Sequence, residues 1–398
     1  MGIVKIVVGL MTIIAILSSL AGAEDYRLPS NPVEGSRIFI NKGCIKCHAI
    51  KDEGGTIGPD LGKVSIGGTL LDMAGVMWNH APYMEGVMKQ EKIIWPVLLG
   101  EEMASLIAYL YFVNYFDEPG DPAVGQALFV SKGCIKCHSI NGSGGKIGPG
   151  LDKFKQNASP IVITQAMWNH GPQMSAKMSQ LAIQPPQFQG KEIIDLLAYI
   201  KTQAKGRIAG GTAYMLPGNP QEGRNIFVEK GCIKCHAVRA EGGTTGPDLG
   251  KRATELYRSV NQVAGIMWNH GSTMWAKMKE KGIEVPKFSG KEMADLIAYL
   301  YFIRYFDKPG DPIKGPRLFS DRWCIKCHSI KGEGGKVGPD LAKVKGISSP
   351  VDLAAMMWNH VPIIYKETVK QQIPWPQFQK GEMADILGYL EATQEKPK

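Results

Sequence analysis

Apolar positions along the chain recur at helical spacing rather than in the alternation of strands. Met103, Leu106, Ile107 and Leu110 stand three and four residues apart, and Met293, Leu296, Ile297 and Leu300 repeat the pattern. A second stripe sets Met73, Val76, Met77 and His80 on one helical face, and no segment reads convincingly as a strand. Asn31-Pro32, Asp121-Pro122, Asn219-Pro220 and Asp311-Pro312 each place a capping side chain before a proline, where a helix start loses no amide bond. The expectation is an all-α protein built from short helices.

These elements recur four times, and self-similarity of this kind marks tandem structural units. Cys-Ile-Lys-Cys-His occurs at Cys44–His48, Cys134–His138, Cys232–His236 and Cys324–His328. Each copy is followed by Gly-Gly and then by Gly-Pro, with proline 11 residues after the histidine in every case. Met-Trp-Asn-His comes next, ending at His80, His170, His270 and His360, and each unit closes on a helix around Tyr109, Tyr199, Tyr299 or Tyr389. The segment 109–122 returns almost unchanged at 299–312, and the same 190-residue shift relates Cys134 to Cys324 and His80 to His270. A two-domain module has been duplicated. The reading is four domains, 24–118, 119–203, 204–308 and 309–398, arranged as two pairs, first with second and third with fourth. The glycine-bearing stretch 202–214 is the linker between the halves.

The cysteine motif carries chemistry. Two thiols three residues apart share a helical face and can both add to the vinyl groups of a haem, while the adjacent histidine reaches the iron. This assigns attachment to Cys44, Cys47, Cys134, Cys137, Cys232, Cys235, Cys324 and Cys327, and proximal ligation to His48, His138, His236 and His328. Zinc would need paired knuckles, yet the copies lie 90, 98 and 92 residues apart. A thioredoxin-like dithiol would need a βαβ context, which the pattern lacks. All eight cysteines fall in the motifs, so none is left for a disulfide.

Eight histidines are present in all, four of them proximal. His80, His170, His270 and His360 follow their proximal partners by 32, 32, 34 and 32 residues, always after Met-Trp-Asn. One rule thus supplies every iron with a second histidine. The rival is methionine: Met84, Met174 and Met274 lie one turn further on, but the fourth unit has Ile364 there. Bis-histidine ligation is expected throughout, with low potentials, because methionine raises the potential of a c-type haem. Trp78 and its equivalents read as residues that pack on haem.

Composition adds compartment and charge. The 398 residues are 44% hydrophobic and 21% charged, as in soluble globular proteins. Residues 1–23 combine Lys5, an apolar run from Ile6 to Leu20 and a small-residue site at Ala21-Gly22-Ala23, the layout of a secretory signal peptide. The expected location is therefore periplasmic or otherwise extracytoplasmic. The alternative is an uncleaved membrane anchor, since the run nears the roughly 20 residues needed to cross a bilayer. Cleavage would leave 45 basic and 37 acidic side chains, a formal +8. Eight haem propionates would bring that balance near zero, so no nucleic-acid partner is implied.

With these motifs the chain resembles class I cytochromes c, over nearly all of its length after the leader. The resemblance rests on Gly35 and Phe39 in the first helix, the Cys44–His48 motif, Gly58-Pro59-Asp60-Leu61 and the terminal helix around Tyr109. It implies four class I-like all-α domains, four covalent haems, electron transfer, and proline carbonyls at Pro59, Pro149, Pro247 and Pro339 that accept the proximal histidine's other N–H. The chain departs where the family commonly sets a methionine ligand before a proline; here stand Trp95, Pro185, Val285 and Trp375. The expected partners are redox proteins, a membrane respiratory complex among them. Lys46, Lys136, Lys234 and Lys326 would guide an acidic partner, or form a plain solvated face. The alternatives to a non-enzymatic carrier are a haem subunit of a respiratory complex and a haem enzyme acting on a nitrogen oxide or peroxide.

Overall fold

A computed structural model of the chain describes residues 31–64, 68–113, 115, 119–153, 159–204, 218–251, 259–305, 309–347 and 349–394. The leader 1–23 and most of the linker 202–214 lie outside the described residues. The all-α expectation holds: each unit has a short first helix, a long middle helix and a last helix. In the first unit these are Pro32–Asn41, Leu70–Gln90 and Gly100–Phe112. In the second they are Pro122–Ser131, Pro160–Gln180 and Glu192–Gln203. The third has Pro220–Glu229, Val260–Glu280 and Gly290–Phe302, and the fourth Gly315–Asp321, Pro350–Lys370 and Glu382–Thr393.

Asn31, Asp121 and Asn219 cap the first helices as expected, with side-chain oxygens accepting first-turn amides. The fourth departs from the pattern. Its helix begins at Gly315 rather than after Asp311-Pro312: Asp311 still accepts from Ile313 N and Gly315 N, but Pro316 has no N–H for the Pro312 carbonyl. First and last helices cross at a glycine: a Cβ at Gly35 would lie 1.9 Å from the Ser105 carbonyl oxygen, and one at Gly223 2.0 Å from that of Asp295. One turn on, Phe39 meets Tyr109, with ring centroids 5.7 Å apart. The stripes of the last helices are core, with Met103, Leu106, Ile107 and Leu110 all buried. The stripe on the middle helix splits: Met73 is buried, whereas Val76 and His80 are exposed. Short two-stranded ladders do occur, Ala49–Ile50 with Glu53–Gly54 and its three counterparts, closing the loop after each cysteine motif.

The pairing of units differs from the order suggested by the duplication. The first unit packs on the fourth, through the middle helices Leu70–Gln90 and Pro350–Lys370, and the second packs on the third, through Pro160–Gln180 and Val260–Glu280. Repetition in sequence records how the gene grew. Contact is decided by complementary surfaces, and here each surface finds its complement on the other half.

The two halves are related as protomers of a two-fold dimer would be. Tyr111 and Tyr301, equivalent under the 190-residue shift, meet at the centre: the Tyr301 hydroxyl donates to the Tyr111 carbonyl at 3.0 Å. Tyr111 stacks on Tyr305 (centroids 3.5 Å) and Tyr301 packs edge-on against Tyr115 (4.7 Å), the same exchange seen from either half.

Candidate functional site

Each cysteine motif forms one 3₁₀ turn, Cys44–Lys46, Cys134–Lys136, Cys232–Lys234 and Cys324–Lys326, directly after the first helix. A left-handed residue makes the join: Gly43, Gly133 and Gly231 at φ near 80°, but Trp323 at φ 64° in the fourth unit. None of the eight cysteines is in a disulfide and none is fully exposed. Burial pushes the Cys44, Cys134 and Cys232 thiols up to about 11, and Cys324 up to about 12.

The proximal histidines sit beside the thiols, and their Nδ1 atoms face proline carbonyls. The distances are 3.0 Å for His48 to Pro59, 2.9 Å for His138 to Pro149, 3.1 Å for His236 to Pro247 and 3.1 Å for His328 to Pro339. A carbonyl only accepts, so Nδ1 carries the proton and Nε2 keeps its lone pair. The glycine before each proline permits the approach. A Cβ at Gly58 would stand 2.4 Å from His48 Cε1, and Gly148, Gly246 and Gly338 are equally tight against their own imidazoles. A paired thiol turn beside an imidazole so oriented is the donor set that a covalent haem requires.

On the middle helices, His80, His170, His270 and His360 adopt one common pose. Their Nδ1 atoms donate to the carbonyls four residues back, Val76, Ala166, Ile266 and Met356, at 2.8, 2.9, 2.9 and 2.7 Å. Again Nε2 is the atom left with a lone pair. In the fourth unit the two imidazoles face one another electrostatically. Burial lowers the His328 pKa, the bond to Pro339 works against this, and the charge of His360 lowers it further. At the rival position Met84, Met274 and Ile364 are half-buried and pack against the same apolar cluster, a role that isoleucine can fill as methionine does.

The tryptophan of Met-Trp-Asn-His, read from the sequence as a residue that packs on haem, reaches with the following asparagine into another unit. The indoles of Trp78, Trp168, Trp268 and Trp358 donate to the carbonyls of Pro376, Pro286, Pro186 and Pro96, each at 2.8 Å. The neighbouring asparagines bind a backbone at both ends. Asn79 accepts from Phe378 N and donates to Phe378 O, and Asn169, Asn269 and Asn359 do the same at Phe288, Phe188 and Leu98. The receiving strip precedes each last helix. Fourfold repetition of Trp-Asn was the available signal, but periodicity within one unit cannot point to a contact with another.

The cytochrome c family model matches residues 32–111, 122–204, 220–301 and 313–394, one match on each structural unit. The chain belongs to the cytochrome c family. A cytochrome c from Cochliobolus lunatus is 33% identical over 100 residues, covering 21% of this chain and 92% of that protein. No solved structure gives a match. As a cytochrome c with four Cys-x-x-Cys units, the chain carries four covalently bound c-type haems and serves haem-based electron transfer. No helix among the described residues is long and apolar enough to cross a membrane.

Proposed function

We propose that this cytochrome is an extracytoplasmic electron carrier, passing electrons between redox proteins through four haems, each held by two histidines. The haem supplies the redox couple, and the chain's residues attach, orient and shield it. One observation carries the reading: all eight histidines spend Nδ1 on a backbone carbonyl and leave Nε2 as the nitrogen available to a metal. Four proximal and four distal imidazoles are therefore held in the tautomer that a ligand needs. With a sixth ligand in every unit, no iron is reserved for a substrate, and the protein works as a carrier rather than an enzyme. Cys44, Cys47 and their six counterparts hold the porphyrins.

The leader pattern of residues 1–23 supports export to the periplasm. Lys46, Lys136, Lys234 and Lys326 are exposed on the attachment turns and suit an acidic redox partner. A redox titration of the ferric holoprotein followed in the near infrared tests the ligation. Bis-histidine iron gives no methionine-to-iron charge-transfer band, so a band equivalent to one haem or more would overturn the assignment.

A further inference from the structure

We infer that the Trp-Asn pair beside each distal histidine is a positioning device that makes axial ligation in one unit depend on the docking of its neighbour. This rests on the bis-histidine reading above. In the first unit, three consecutive side chains have fixed jobs. The Trp78 indole is bound to Pro376 O at 2.8 Å and the Asn79 amide to both backbone groups of Phe378 at 2.8 Å, all in the fourth unit. His80, next in line, is bound only to its own helix, at Val76 O.

Successive helical residues project about 100° apart. Anchoring two of them to another unit therefore fixes the helix against rotation about its axis and sets the bearing of the third. The fourth unit returns the arrangement, with Trp358 and Asn359 on Pro96 and Leu98 of the first. The second and third units exchange the same bonds. Four of four distal histidines thus follow a residue pair committed to a neighbour, so the contact that joins two units also aims a ligand in each.

Removing the Asn79 amide deletes two hydrogen bonds, each worth roughly a factor of five, and should raise the open, unligated population at the first iron about 25-fold. The test is carbon monoxide binding to the reduced full-length holoprotein, read from the Soret band. His80→Ala sets the reference, at one carbon-monoxide-reactive haem of four. Asn79→Ala is expected to raise the slow wild-type binding rate of one haem by about 25-fold, scaling with that open population. Asn79→Asp, which still accepts from Phe378 N, should fall between the two. Trp78→Phe keeps an aromatic ring and removes the indole donor, and it decides the matter if Asn79→Ala fails to accumulate. Wild-type rates in Asn79→Ala and Trp78→Phe, with His80→Ala fully reactive, overturn the positioning role. If His80→Ala itself binds no carbon monoxide, the ligand reading fails and this inference with it.

Discussion

Pro82 lies inside the helix Leu70–Gln90, four residues after Trp78, and so removes the amide that would close on the Trp78 carbonyl. The Trp375 indole takes that place from the fourth unit, at 3.0 Å. Its ring also stacks on Trp78, with centroids 4.3 Å apart and planes at 22°. Pro362 frees the Trp358 carbonyl in the same way, and the Trp95 indole fills it at 3.0 Å. Trp375→Phe keeps an aromatic ring in the stack but deletes the donor. Trp78 is only 5% exposed, so its carbonyl would be left without the bond in a buried place, at a cost of about 1–3 kcal/mol. In a Pro82→Ala background the helix supplies its own N–H, and the same substitution should cost well under 1 kcal/mol. The cycle therefore predicts a coupling of about 1–2 kcal/mol between positions 82 and 375. Thermal unfolding followed by far-ultraviolet circular dichroism reads it. For a cooperative pair of units, 1 kcal/mol is about 2–4 °C, so Trp375→Phe should lower Tm by several degrees when Pro82 is present and by about a degree in the Pro82→Ala background. Equal losses in both backgrounds would refute the idea that the helix proline vacates the carbonyl for the indole.

Gly43→Ala should destabilise the holoprotein by about 1 kcal/mol through its left-handed backbone alone, because a Cβ there meets nothing nearer than Lys46 Cδ at 3.7 Å. Urea unfolding checks this, and a neutral Gly43→Ala would remove the backbone argument. Proteolytic cleavage between residues 205 and 217 should leave the two halves together in size-exclusion chromatography, since their bonds run between halves; separate dihaem fragments would contradict the crossed pairing.

The helices and the attachment chemistry were legible in the sequence because both are local. A stripe such as Met103 to Leu110, or a thiol pair followed by histidine, is complete within a dozen residues. The hydrogen bond between His48 and Pro59 was foretold by the resemblance to class I cytochromes c, not by the 11-residue step itself. The late start of the fourth unit's first helix was also readable from Pro316, but only by weighing the missing amide against the pattern of the other three. The crossed pairing was not legible. Asn79 and Phe378 stand 299 residues apart, and nothing in the chemistry of either names the other. Trp95 and Trp375 drew notice for the methionine they replace. Their indoles serve a carbonyl in another unit, a role that emerges only once the units are brought together.

In a symmetric homodimer any change on one protomer is imposed on the other, so its two equivalent interfaces stay alike. Joining the halves in one chain lifts that restraint, and the two interfaces have drifted apart. Between the first and fourth units, Trp78 stacks on Trp375 and Trp95 lies tilted against Trp358, two close indole pairs. Between the second and third, Pro185 and Val285 hold the corresponding places, and Trp275 instead presses on Gly171, where a Cβ would come within 2.1 Å of its ring. A single gene thereby lets each interface, with the residue pairs that flank its two distal histidines, be selected apart from the other.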